Sequence, residues 1–387
     1  MLNDSWKRTR PISICIVVAA PLTLKAFLIG HISALAQRAN ITLVADFAPE
    51  DDDFPWPANV SRIRLPIQRK IAPYSDGANL WSLYRLFRRH SFDIVQSVTP
   101  KAGLLAMAAA CTARCPRRIH WFTGQIWATR RGWKREALKA FDKLIAVLAT
   151  HILVDGNGQR ELLIRERVVA AAKAATLGDG SISGVDVRKF HPDPAARRSI
   201  RAAHSIPDDA CVLLFVGRLN VEKGLLELAE ALSLAGRDRD NLWLMAVGPA
   251  ETEIWPEMRR RAGERLSAKM IAVGFSATPQ RYMAAADVFC LPSHREGFGT
   301  SVIEAAACGL PAVVSDIYGL QDAVIDQGTG LRHRVGSGAA LAQCIGELAD
   351  NPGLRRNLGE AARQRATTLF PAERLTGELL NYYAKLL

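Results

Sequence analysis

HREGFGTSVIEAAACGLPAVVSD, residues 294–316, is the stretch on which the reading of this chain turns. A short loop runs through Ser293 to Gly299, and a helix is expected from Thr300 to Cys308, with Gly309 and Pro311 as stop signals. Residues 311–315 then read as a short buried strand. Glu296 lies in the loop and Glu304 about a turn inside the helix, so both can face a ligand held at the helix start. Between them, the free N–H groups of Gly299, Thr300 and Ser301 point outward at the positive end of the helix dipole, an end that receives phosphate or diphosphate readily. Two carboxylates and a bare helix start suit a molecule with hydroxyls at both ends and phosphates between them, as in a nucleotide sugar. A solvated surface unit could carry the same spelling. The apolar run 286–290 just upstream favours the ligand site, because it puts the loop at the carboxyl end of a parallel strand, where open α/β sheets bind ligands.

Working outward, the 387 residues suffice for two domains, each with its own core. With 49% hydrophobic and 23% charged residues, the composition is that of a soluble globular protein. The net charge of +12 is lopsided: residues 1–178 hold 26 Lys+Arg against 13 Asp+Glu, and residues 179–387 hold 24 against 25. The basic half calls for an anionic partner such as a membrane surface, a lipid phosphate or nucleic acid. Seven scattered cysteines, without a C-x-x-C pair, read as buried reduced thiols of a cytoplasmic protein. Lys7-Arg8-Thr9-Arg10 before residues 12–20 imitates a signal peptide, but the same apolar run makes a natural first strand. No stretch is long and apolar enough for a membrane span.

In the N-terminal half, strand 12–20, a loop at Pro21-Leu22-Thr23 and a helix over 27–38 open a doubly wound α/β domain. Strands follow at 41–45, 93–98 and 151–155. Asp51-Asp52-Asp53 and Asp238-Arg239-Asp240 contain D-x-D spellings that read as hydrophilic turns. Two basic amphipathic stretches stand out, residues 79–90 and residues 130–143. The second carries Arg130, Arg131, Lys134, Arg135, Lys139 and Lys143 beside Trp127, Trp133, Leu138 and Phe141. Such helices either lie in the plane of anionic bilayers or pack their apolar faces against the sheet, and the membrane reading is favoured mainly for the second. His120 is expected to close a strand and to open a loop facing the cleft. In the C-terminal half, the apolar strand 212–217 delivers Arg218 and Lys223, which can converge on a diphosphate, one as a fork and the other as a point charge. Residues 176–184, with three glycines and two serines, have the composition of a crossing between domains.

These motifs carry a resemblance. Residues 296–304, E-G-F-G-T-S-V-I-E, are similar to the E-x7-E motif of family 4 retaining glycosyltransferases. The G-R-L-x-x-E-K-G segment from Gly217 to Gly224 is similar to that family's diphosphate-binding motif. Residues 120–127, H-x-F-T-G-Q-x-W, resemble the subgroup that acts on lipid-linked oligosaccharides and surface polysaccharides. Gly184-Val185-Asp186 with Phe190 resembles the family's entry into its second domain.

The resemblance implies the GT-B fold: two Rossmann-like doubly wound α/β domains facing each other across a cleft. It places an acceptor-binding domain at 1–181, a nucleotide-sugar-binding domain at 182–370, and a final helix at 371–387 crossing back to the first. It implies that Gly217, Arg218, Lys223 and the amides of Gly299, Thr300 and Ser301 hold the diphosphate of a UDP-sugar without a metal or other cofactor. Glu304 then binds ribose, Glu296 the sugar hydroxyls, and the Val273-Gly274-Phe275 segment the base. His120 contacts the sugar from the other domain, with Thr123, Gly124 and Gln125 nearby. The family's Gly-Gly pair is absent from the first loop, where this chain has Ala-Pro-Leu-Thr. The expected acceptor is a polyprenyl-diphosphate-linked or lipid A-linked glycan at the inner face of a bacterial plasma membrane, and the expected sugar an N-acetylhexosamine. Two rivals stand beside this reading: a sugar-nucleotide epimerase of the same fold, and a non-enzymatic protein binding anions or membranes. Nucleic acid is disfavoured, since the basic stretches match no recognisable module.

Overall fold

The computed structural model describes residue 6 and residues 10–68 and 72–387; Lys7, Arg8 and Thr9, part of the signal-like stretch, lie outside the described residues. The chain falls into two compact units, Met1–Ser183 with Ala372–Leu387, and Gly184–Pro371. Each is a doubly wound parallel sheet with helices on its faces. The long apolar runs of the sequence become inner strands because such strands are covered on both sides.

The first unit has strands β1 Ile12–Val17, β2 Ala39–Ala45, β3 Val60–Arg64, β4 Ile94–Val98, β5 Arg117–Phe122, β6 His151–Val154 and β7 Ala174–Thr176, in the order β3-β2-β1-β4-β5-β6-β7. The first strand ends at Val17, and the expected loop at residues 21–23 is instead the start of a helix. Pro21 explains the correction. Its fixed φ and missing N–H suit the first helical position, so the helix can begin directly after Ala20. The final helix, Ala372–Leu386, lays Leu375, Leu379 and Tyr383 into this unit's core beside Ile14, Ile16 and Trp121. Tyr383 donates its hydroxyl to Gln96 Oε1 on β4. His31 bridges Thr376 Oγ1 and the Ile182 carbonyl at 2.9 and 2.7 Å.

The second unit has strands β8 Cys211–Val216, β9 Leu242–Val247, β10 Met270–Gly274, β11 Val288–Leu291, β12 Ala312–Ser315 and β13 Gly330–His333, in the order β10-β9-β8-β11-β12-β13. In each sheet the direction of progression reverses at one place, between β1 and β4 and between β8 and β11. Open sheets of this kind receive ligands beyond the carboxyl ends of the strands at that switch point.

All seven cysteines are free, and five are buried. Among the described residues no helix is long and apolar enough to cross a membrane. The two D-x-D spellings sit in turns tied down by basic neighbours: Asp51 pairs with Lys25, Asp52 with Arg62, and Asp240 with Arg265.

Candidate active site

In the second unit, Val288 and Phe289 of β11 pair with Leu213 and Leu214 of β8. The segments leaving these neighbours, 217–224 and 292–301, therefore share one end of the sheet. Gly224 brings them into contact. It has φ +71°, and a Cβ there would lie 2.0 Å from the carbonyl oxygen of Pro292. That approach sets Lys223 Nζ 2.5 Å from Glu296 Oε1, the same oxygen to which Ser293 Oγ donates at 2.7 Å. Arg218 donates through Nη1 to Glu251 Oε1 at 2.6 Å, and Asn220 Nδ2 donates to Glu251 Oε2 at 2.8 Å. Gly248 lets the turns after β8 and β9 meet, since a Cβ there would lie 1.8 Å from the Gly217 carbonyl. Each basic residue thus holds a carboxylate, so both are fixed in place before any anion arrives.

Gly299 adopts the left-handed conformation, φ 78° and ψ 58°, and begins the helix Thr300–Ala307. The first turn, including Ser301, leaves N–H groups without intrahelical acceptors. A side chain at Gly299 would also strike Leu320 Cδ2 at 2.5 Å. Inside the helix, burial pushes the carboxyl of Glu304 up to about 7, an effect partly opposed by Lys189. This carboxyl makes no hydrogen bond or ion pair among the described residues, so hydroxyl partners would relieve an existing desolvation. Phe275 follows Gly274 at the end of β10 with its ring 76% exposed, so the side chain itself forms no slot for a base.

His120 lies in the first unit, and its placement corrects the expectation. Strand β5 continues two residues past it, so His120 opens no loop, and the imidazole is fully buried. Nδ1 is 2.8 Å from Ser97 Oγ, the ring packs edge-on against Phe122, and Nε2 has no hydrogen-bond partner. Burial holds the imidazole neutral, its pKa lowered to about 3. Gly103, in the helix Pro100–Thr112, makes room for it: a Cβ there would lie 2.3 Å from His120 Cε1. Gln125 is occupied structurally, donating to the Thr123 carbonyl at 2.7 Å and accepting from Gln159 at 3.1 Å. Trp127, grouped above with an amphipathic surface, is instead core. It is 1% exposed and its indole N–H donates to Asp142 Oδ2 at 2.8 Å.

Two family models match the chain, "Glycosyl transferase 4-like domain" over residues 31–180 and "Glycosyl transferases group 1" over residues 196–365. The capsular polysaccharide biosynthesis glycosyltransferase CapM of Staphylococcus aureus is 29% identical over 319 residues, covering 82% of this chain and 83% of its own. The chain belongs to the family 4 glycosyltransferases.

The glycosyltransferase also resembles the UDP-Gal:alpha-D-GlcNAc-diphosphoundecaprenol alpha-1,3-galactosyltransferase of Escherichia coli, 28% identical over 65% of each chain. Among solved structures, HepE of Anabaena in complex with UDP superposes with a TM-score of 0.79 at 16% identity, covering 97% of this chain and 100% of its own. WaaG, a glycosyltransferase involved in lipopolysaccharide biosynthesis, superposes with a TM-score of 0.74 at 17% identity, covering 96% and 99%. Both share the GT-B fold of the glycosyltransferase. The reading of its sequence passed over three residues that shape the basic pair: Glu251, Asn220 and Ser293. Asn220 and Ser293 lie inside segments already singled out. Glu251 carries no signal, since only the sheet order brings the turn after β9 to Arg218.

Proposed function

We propose that this glycosyltransferase moves a sugar, an N-acetylhexosamine, from a UDP-linked donor to a lipid-linked or lipopolysaccharide glycan of the bacterial surface, with retention at the anomeric carbon and without a metal. One observation carries the proposal: Arg218, Lys223, Glu296 and the helix start at Gly299 converge at the switch point of the second unit. The donor's diphosphate displaces Glu251 from Arg218 and Glu296 from Lys223. The released Glu296 is then free to accept hydrogen bonds from sugar hydroxyls. The bond from the anomeric carbon to the diphosphate oxygen breaks with its electron pair leaving on UDP. The acceptor hydroxyl oxygen bonds that carbon, and its proton passes to the departing diphosphate. Arg218, Lys223 and the amides of Gly299, Thr300 and Ser301 are fixed positive ends aimed at charge that grows during departure, an arrangement that needs no reorganisation at that moment. Glu304 takes the ribose hydroxyls.

The names of relatives support the chemical class. CapM is named for capsular polysaccharide, and the Escherichia coli enzyme is named for a UDP-sugar and a diphosphoundecaprenol acceptor. The choice of an N-acetylhexosamine rests on the His120–Trp127 run alone. Contact with an anionic membrane draws support from the helix Gly132–Leu148. Trp133 is 76% and Val147 66% exposed there, and Phe141 and Leu144 share that face. Arg135 and Lys139 pair inward with Glu166, which leaves Lys134 and Lys143 beside the apolar stripe. The test is a panel of nucleotide sugars offered to purified protein with a polyprenyl-diphosphate-linked acceptor. Transfer from a UDP-N-acetylhexosamine with chelator present is the expected result. Sugar release or epimerised donor without any acceptor product would sink the proposal.

A further inference from the structure

Behind the Lys223–Glu296 contact, the segments 217–224 and 292–301 are joined by a second row of side chains. Glu227 stands in the first turn of the helix Leu225–Ala235, just past Gly224. Its Oε1 lies 3.0 Å from His294 Nε2 on the opposite segment. The His294 N–H donates to the Glu222 carbonyl at 2.9 Å, and Arg295 Nη2 donates to Glu222 Oε2 at 3.0 Å. Three consecutive loop residues, 294 to 296, thus meet Glu222, Lys223 and Glu227 across the gap. A carboxylate in a first helical turn complements the helix dipole wherever it occurs, so Glu227 alone would mean little. Its surroundings say more. Glu227 Oε2 is buried with no hydrogen-bond partner among the described residues, so losing His294 would leave a largely buried carboxylate unpaired, which is costly. The other charged and titratable groups facing the pair are Glu222, Arg261 from the helix Trp255–Ala262, and His333 at the end of β13. Burial lowers the pKa of His333, which is 3% exposed, and keeps that ring neutral. The hydrogen bond to Glu227 raises the pKa of His294 against burial. Of the two imidazoles near Glu227, His294 is therefore the one whose charge follows pH.

We propose that Glu227 and His294 are positioning residues for the donor: their contact keeps the loop 292–299 against the turn 217–224 while the diphosphate parts Lys223 from Glu296. The proposal rests on the reading of these two segments as the donor site and deepens it. In that reading the inner contact is lost at the moment the segments must hold their spacing. The outer row remains, since the donor takes neither Glu227 nor His294. Apparent affinity scales with the fraction of molecules in the binding-competent arrangement, so a weaker outer row means weaker donor binding. The contact is an ion pair while His294 is protonated and a plain hydrogen bond afterwards. An unfolded imidazole titrates near 6.5, and the folded value lies higher. The ionic contribution is therefore complete below about pH 6.5 and is lost as pH rises through the folded value.

The experiment titrates UDP into the full-length chain from about pH 6 to about pH 9 for wild type, His294→Gln and Glu227→Gln. Glutamine at 294 can still donate to Glu227 but carries no charge at any pH. The ionisation of UDP itself is common to all three proteins and cancels in the ratio of dissociation constants. His294→Gln is expected to bind about fivefold more weakly than wild type at the acid end and equally at the alkaline end, and Glu227→Gln to converge in the same way. A merely structural loss would leave the ratio constant across pH, so a constant ratio, whether one or larger, overturns the proposal. Nuclear magnetic resonance of the empty protein supplies a second measurement that needs no donor. The His294 imidazole is expected to titrate at higher pH in wild type than in Glu227→Gln, and equal titration in the two also overturns the proposal. A wild type that binds no UDP at any pH brings down the donor reading and this proposal with it, whereas a UDP-binding wild type with a constant ratio brings down this proposal alone.

Discussion

Arg218 and Lys223 differ in what they lose when truncated. Arg218 is about half exposed and shares Glu251 with Asn220, so its removal leaves no buried charge unpaired. Arg218→Ala is therefore expected to fold normally and to lower kcat by about 10²–10³ for loss of one preorganised donor at the leaving group. Steady-state kinetics beside a thermal melt checks this, and full activity would contradict the assignment. Glu304 makes a prediction of opposite sign for stability. Its folded-state pKa is raised to about 7 while an unfolded glutamate titrates near 4.5. Between those values the folded state holds the proton and the unfolded state has lost it, so unfolding becomes easier as pH rises through this window. Glu304→Gln, which cannot ionise, is expected to flatten that decline and to stabilise the empty protein at pH about 8 by roughly 1–3 kcal/mol. The same variant should bind UDP more weakly if the carboxylate takes ribose hydroxyls. Melting curves across pH together with UDP titration separate the two effects.

At the scale of elements, function hangs on close approaches between segments. The turn after β8 meets the turn after β11 because Gly224 has neither a Cβ nor a bar to positive φ. Gly224→Ala would drive a Cβ into backbone at Pro292 and strain the chain as well. Loss of about 2 kcal/mol or more of stability is expected, with donor binding impaired because Lys223 no longer meets Glu296. Gly103 plays a related part beneath His120. Gly103→Ala should cost about 1–3 kcal/mol by overpacking a ring that Ser97 already pins. In a His120→Ala background the cost should nearly vanish, a coupling that a double-mutant cycle by urea unfolding reads directly. Much of this level was legible beforehand. The helix beginning at Thr300 and the strands read at 41–45, 93–98 and 212–217 follow from apolar runs and glycine or proline punctuation. Strands β3 and β7 were not read, since Val60–Arg64 carries two arginines in five residues and Ala174–Thr176 is only three residues long. The helix start at Pro21 reads locally as a loop because the apolar spacing begins only after the proline.

For the whole molecule, the charge asymmetry makes a prediction of its own. The first unit owes its basic excess partly to Lys134 and Lys143, which flank the exposed Trp133, Phe141, Leu144 and Val147. Sedimentation with phosphatidylglycerol vesicles should retain the protein at low salt and release it as ionic strength rises. Trp133→Ala with Lys134→Ala and Lys143→Ala should weaken retention by about tenfold or more, at about 1 kcal/mol for each basic residue lost. Retention that ignores both salt and these substitutions would remove the helix from the membrane. From sequence alone came the class of fold and the segments that meet at the switch point of the second unit: periodicity marks buried parallel strands, and Arg218, Lys223, Glu296 and Glu304 lie just beyond two of them. Tertiary structure alone decided what those residues touch. Glu251 reaches Arg218 and Gly103 seats His120 because strand order and helix packing join segments far apart in the chain. No local pattern encodes the burial that neutralises His120 and raises Glu304, since desolvation is a property of everything that surrounds a group.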